Sequence, residues 1–173
     1  LNFHGDTNMM VSMSFTGNTG RADATTAAWN LKLDVENGRV QCGPQLEHMH
    51  GELSLAGTSN QQAFYSRGEL NFDSMIYKGI QLTQVTGPLY IDASGIVLGA
   101  GAEHDVVGRA PRAVTASAIG GQLAVDAAVT FRGDSPFHVQ ASLESVDLTH
   151  MAREMALESS GIRGKANAVL NLR

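Results

Sequence analysis

This sequence is short of most residues that announce a chemistry. Cys42 is the only cysteine in 173 residues, so no disulfide can close within the chain. A small, partly buried apolar role is expected for it rather than a reactive thiol. Charged residues make up 17% and the net charge is -5. No basic stretch offers a footprint for nucleic acid or an anionic membrane surface. No run approaches the roughly 20 apolar residues of a membrane-spanning helix, and no signal-peptide pattern is present. Only 4 prolines accompany 19 glycines, which suits many strands joined by tight turns better than a disordered segment. The chain starts at Leu1 without methionine and stops at Arg173 inside a strand-like run. It is read as one β-rich domain, or a fragment of a longer protein, over residues 1–173.

What is present is alternation. Leu123, Val125, Ala127, Val129 and Phe131 alternate with Gln122, Ala124, Asp126, Ala128 and Thr130, the period of two expected of a strand with one apolar face. Gly133-Asp134-Ser135-Pro136 supplies turn chemistry. Phe137, Val139, Ala141 and Leu143 then resume the pattern, predicting a long antiparallel hairpin. Earlier runs repeat the idea: Met9 to Phe15, and Ala27, Trp29, Leu31, Leu33 and Val35. Thr16 to Thr25 reads as a loop. Asn37-Gly38 reads as a hairpin turn, since both residues tolerate positive φ, with Arg39 to Cys42 as the returning strand. Tyr77-Lys78-Gly79 and Ser94-Gly95 predict further turns. Residues 99 to 112 predict a longer loop, and Val114 to Ile119 a strand.

A glycine-led pattern recurs at Gly51-Glu52-Leu53-Ser54-Leu55, Gly68-Glu69-Leu70-Asn71-Phe72, Gly87-Pro88-Leu89-Tyr90-Ile91 and Gly121-Gln122-Leu123-Ala124-Val125, and more weakly from Gly164. The steps of 17, 19, 34 and 43 residues are too irregular for a solenoid of fixed coil length. Each glycine is expected to turn the chain into a strand with its large residues on one side. One segment departs from the period of two. Asp147 is placed to cap a helix, and Leu148, Met151, Ala152 and Met155 fall at helical spacing. A helix over 147–157 is predicted, capping one end of the sheet.

No catalytic constellation emerges, and the chain reads as neither an enzyme nor a cofactor binder. His48 and His50 would share a face if extended, but two imidazoles fall short of the four ligands of a closed zinc site, with Glu47 and Glu52 the only near candidates. His104-Asp105 lacks a nucleophile motif beside it. Gly99 and Gly101 lack the third glycine and helix of a phosphate cradle. Arg132-Gly133-Asp134 matches an adhesion tripeptide but reads as a hairpin turn. No metal or catalytic role is expected for His48, His50 or His104.

Residues 114 to 173 resemble the C-terminal region of AsmA-like proteins of the bacterial envelope. The resemblance lies in Ile119-Gly120-Gly121-Gln122-Leu123, a strand ending near Arg132, Phe137 to Val146, Val146-Asp147-Leu148 entering a short helix, and Ile162-Arg163-Gly164-Lys165-Ala166. The Gly-x-Leu strands from Gly51 onward are compatible with it. Ala118 stands where the family often has an aromatic, and residues 1–45 find no counterpart. The resemblance implies a curved antiparallel sheet, a β-groove or half-barrel with an apolar concave face. It also implies a periplasmic location, a parent anchored in the inner membrane, kinship to TamB, and phospholipid or another acyl lipid as cargo. Neighbouring strands of the same longer protein are the implied protein partner.

Two classes of function follow. One is a lipid-conducting segment of an envelope protein; the other is a structural or interaction β module with a closed core and no ligand. For the first, the expected groove residues are Trp29, Leu31, Leu33, Leu53, Leu55, Leu70, Phe72, Leu89, Ile91, Leu123, Val125, Val129, Phe131, Phe137, Val139 and Leu143. Each lies on the large-residue side of its own run.

Overall fold

The computed structural model describes residues 2–18, 21–41, 45–60, 63–103, 110–131, 137–154, 161 and 163–172. In chain order these form β1 (Asn2–Asn18), β2 (Arg21–Gln41), β3 (Gln45–Ser59), β4 (Phe64–Tyr77), β5 (Ile80–Asp92), β6 (Gly95–Leu98), a 3₁₀ turn (Gly99–Glu103), β7 (Val114–Ala118), β8 (Gly121–Thr130), β9 (Phe137–Asp147), α1 (Leu148–Glu154) and β10 (Lys165–Leu172). All ten strands join one antiparallel sheet, ordered β1-β2-β3-β4-β5-β6-β8-β9-β10, with β7 off this path and paired to β5 and β8. The chain is thus mainly β, a single antiparallel sheet with one short helix, as the alternation predicts.

Local chemistry sets the joints. Lys78 and Gly79 have φ of 49° and 81°, the primed turn that matches strand twist. Asp92 closes the next turn: its Oδ1 accepts from Ser94 N at 2.7 Å and Gly95 N at 3.0 Å. Asp147 Oδ1 accepts from Thr149 N at 2.8 Å and His150 N at 3.3 Å, the N-cap bond expected of it. Helix α1 lies at the end of the sheet beside the β7–β8 turn, where Asp147 N donates to Ile119 O at 3.3 Å. The far end of the expected helix and the Gly133–Pro136 turn lie outside the described residues.

Three expectations are corrected. Asn37-Gly38 does not turn the chain; β2 runs through it to Gln41. Asn37 uses its positive φ of 51° for a bulge, where the β2–β3 register shifts between Val35 and Gly38. Next, Gly51, Gly68 and Gly87 do not start strands but lie inside β3, β4 and β5. Their value is close approach: a Cβ on Gly87 would stand 2.6 Å from Val114 Cα, and one on Gly68 would strike Ser54 O. Lastly, the expected Thr16–Thr25 loop is shorter, because β1 extends to Asn18 and β2 begins at Arg21.

The bulge at Asn37 belongs to a row. Register shifts recur in β3 around His48 and Met49, opposite Ser74 and Ile76 of β4, in β5 between Thr83 and Thr86, and in β9 opposite Ala166–Ala168. His48, Gln84 and Ser145 there carry φ of 48°, 54° and 58°. Each extra residue absorbs a slip in the alternation, from Leu46 to Met49, Leu82 to Val85 and Leu143 to Val146. The apolar side therefore continues across the fault while the strand bends.

Strands β6 and β7 occupy one ladder position split in two. β6 pairs with Leu89–Ile91 of β5 and with the C-terminal half of β8; β7 pairs with Leu82–Thr86 and the N-terminal half of β8. The four strands so close a ring of pairings. Pro88, which has no N–H to donate, stands at the level where the chain leaves the ladder.

Val35, Met49, Phe72, Met75, Val85, Val114 and Ala116 form the core, each 7% exposed or less. A flat single layer leaves one face open to water. With no second sheet among the described residues, such burial requires the sheet to bend over its own apolar side.

Candidate functional site

Cross-strand partners project from the same face of a sheet, as do residues two apart. The registers therefore assemble the face that the alternation predicts. Met9, Leu33, Leu53 and Leu70 form one row across β1–β4. The next row runs Val11, Leu31, Leu55, Gly68, Leu89, Leu98, Ala127 and Val139. A third carries Met13, Trp29, Gly57, Ser66, Ile91, Ile96, Val129 and Phe137. Phe72 pairs with Val85, Val125 with Val114, and Leu123 with Leu143. Of the expected groove residues, only Phe131 stands outside the pairings. It lies just past β8, its N–H donating to Ser94 O at 2.8 Å.

Burial along this face is graded. Phe72, Leu55 and Leu89 are buried; Trp29, Leu31, Leu33, Leu53, Leu70, Ile91, Leu123, Val125, Val139 and Leu143 are half-buried. Val129, Phe131 and Phe137 are 40%, 53% and 49% exposed. The covered part lies toward the bulges, and the open part toward the opposite strand ends. There Trp29 stacks on Phe64 with ring centroids 6.0 Å apart, and the Trp29 ring lies over Gly57, 2.7 Å from where a Cβ would stand.

The opposite face is polar. Lys32 Nζ meets Glu52 at 2.7 Å and Asp34 at 3.8 Å; the bond to Glu52, then the charge of Asp34, raises the ammonium pKa. Arg67 lies over the Tyr90 ring, 5.4 Å from its centroid. An open cleft of about 760 Å³ along the bulges is lined by Asp6, Asp34, Glu36, His50, Glu52 and Asp73 among others. The 3₁₀ turn and Arg112 add contacts on this side. Asp126 Oδ1 receives Ala100 N at 2.6 Å. Arg112 forks onto Glu69 at 3.1 and 3.0 Å and reaches Glu103 at 2.8 Å. These bonds to Glu103 and Glu69 raise the guanidinium pKa further. Glu103 is buried, so its charge needs that partner.

Sequence reasoning missed both the cleft and the Arg112 fork. Their members come from distant strands, with Glu69 and Arg112 43 residues apart, and no spacing signals them. His48 and His50 flank a bulge rather than an extended stretch. His48 Nδ1 lies 2.9 Å from Asn37 Oδ1, and Asn37 N donates to His50 Nδ1 at 3.5 Å. Among the described residues no group of three or more His, Cys, Asp or Glu could hold a metal. Gly99 and Gly101 lie in the 3₁₀ turn. Cys42, His104 and Arg132-Gly133-Asp134 lie outside the described residues. No described helix is long and apolar enough to cross a membrane, which says nothing of strands. Comparison with family models, with curated proteins and with solved structures finds no match.

Proposed function

We propose that this chain is a segment of an AsmA-like envelope protein whose apolar β-groove binds phospholipids and conducts them between membranes. One observation carries the reading: by register the apolar residues of β1–β9 share one face of the sheet, yet its far end stays open to solvent. A single layer presents such a face to whatever apolar matter fits it, and acyl chains fit a strip of leucine, valine and aromatic side chains without polar demands. The ordered motifs from Ile119 to Ala166 support the family assignment. A periplasmic setting and an inner-membrane anchor on the parent belong to the same proposal.

A second reading rests on its own observation. Val35, Phe72, Val85, Leu89 and Val114 are already 3–7% exposed, as in a filled core with no room for a ligand. On that reading the chain is a structural or interaction module. Native mass spectrometry after mild extraction separates the two. Co-purifying phospholipid, released by denaturation, supports the groove. A lipid-free chain that also takes up none from labelled vesicles overturns it.

A further inference from the structure

We propose that the pocket lined by His4, Gly5, Asn37, Arg39 and His48 binds a phosphate group. It holds about 260 Å³, room for the group and several waters of about 30 Å³ each. The registers place it on the polar face. His4 pairs with Arg39 and Phe3 with Val40, and Val40 packs on the core. His4 and Arg39, one residue along their strands, therefore project from the opposite side. The bulges supply the rest: β1 shifts register between His4 and Asp6 and β2 between Val35 and Gly38, while Asn37 and His48 carry φ of 51° and 48°. Because the site lies on the polar face, it stands independently of the groove reading.

Chemistry names the ligand. Among the described residues that line this pocket none is acidic, although the cleft that begins at Asp6 and Glu36 also holds Asp34, Glu52 and Asp73. Arg39 brings a planar guanidinium whose fork matches two phosphate oxygens. With His48 Nδ1 2.9 Å from Asn37 Oδ1, the ring donates its Nδ1–H there. That leaves Asn37 Nδ2, and in the imidazolium His48 Nε2, to donate elsewhere. Gly5 keeps one wall bare, so a ligand can approach the backbone. Glu47 is the competing carboxylate. Its Oε1 stands 3.5 Å from Arg39 Nη2 and 2.5 Å from Gln45 Nε2. One long contact between side chains open to water holds little, so the guanidinium remains available. A carboxylate ligand offers two oxygens; donors from three strands suit the three or four of a phosphate group better.

The test uses the full 173-residue chain. Amide spectra are followed while sodium phosphate is added against sodium chloride of equal ionic strength, at a pH just below the ordinary imidazole value of about 6.5. Saturable shifts are expected at Gly5, Asn37 and His48, in the millimolar range. Arg39→Gln is expected to weaken phosphate at least about tenfold, with the circular dichroism unchanged because the Arg39 side chain is 56% exposed. Glu47→Gln removes the competitor and is expected to tighten binding by about twofold or more. Arg153→Gln, on α1, should change nothing. Dihexanoylphosphatidic acid, kept below its micelle concentration, distinguishes the source. Binding tighter than inorganic phosphate assigns the group to a lipid headgroup, and equal binding assigns it to free phosphate; either supports the site. Shifts that grow linearly and equally in chloride overturn the proposal. So does acetate binding as tightly as phosphate, an affinity that survives Arg39→Gln, or one that falls in Glu47→Gln.

Discussion

Two glycines in β3 and β4 lie under their neighbours. A Cβ on Gly57 would meet Trp29 Cζ2 at 2.7 Å and Tyr65 O at 2.6 Å, while one on Gly68 would strike Ser54 O. Backbone oxygen in a paired strand cannot step aside as a flexible side chain can. Gly68→Ala is therefore expected to lose about 1–3 kcal/mol, the usual range for overpacking. Gly79 provides the contrast. Nothing lies within 4 Å of its Cβ position, but its φ is +81°, so Gly79→Ala should cost only about 1 kcal/mol of backbone strain. Urea unfolding of both variants checks this. Equal losses would mean that crowding at Gly68 relaxes and close packing is not its role. The sequence puts Gly68 in a recurring pattern but reads it as the start of a strand; the crowding needs Ser54, on another strand, to be seen.

At the scale of elements, α1 depends on its first turn. Asp147 is held below the usual carboxylate pKa, first by the Thr149 N–H and then by the His150 N–H. A folded pKa below the unfolded one gives support that is fully present above the ordinary value near 3.9. That support is lost as pH falls through the lowered folded value. The amide signals of Thr149 and His150 are thus expected to shift toward open values as acid protonates Asp147. Asp147→Asn should keep the cap and lose this pH response, whereas Asp147→Ala should fray the turn at neutral pH. A titration that leaves Thr149 unchanged in the parent would remove the cap from the account. Both cap and helical spacing are legible in the sequence. The bulges were legible only in part: apolar steps of three, as from Leu46 to Met49 or Leu82 to Val85, mark a slip. A slip alone does not say whether the chain turns, bulges or ends, which is why Asn37-Gly38 reads as a hairpin and is a bulge.

For the whole molecule, the open question is how much of the apolar face is core and how much is surface. Its grading makes the two separable. Val85 is 6% exposed and Val129 40%, and both face the same side. Val85→Asp buries an unpaired charge and is expected to unfold the chain or cost several kcal/mol. Val129→Asp is expected to stay folded, with thermal stability changed by about 1 kcal/mol or less. If the face carries lipid, the folded Val129→Asp chain should retain less of it after extraction. If Val129→Asp unfolds as readily as Val85→Asp, the far end is closed and the groove reading loses its support. The sequence by itself determined the sided strands, the turns at Lys78-Gly79 and Ser94-Gly95, the helix cap and the antiparallel pairing. Each is decided by residues within a few positions of one another, where period, φ preference and capping act. Tertiary structure alone decided which part of the apolar face is covered, where β6 breaks off before β7, and how Arg112 comes to Glu69 and the buried Glu103. Those outcomes depend on which strands meet across the sheet, and meetings between distant residues leave no period in the chain.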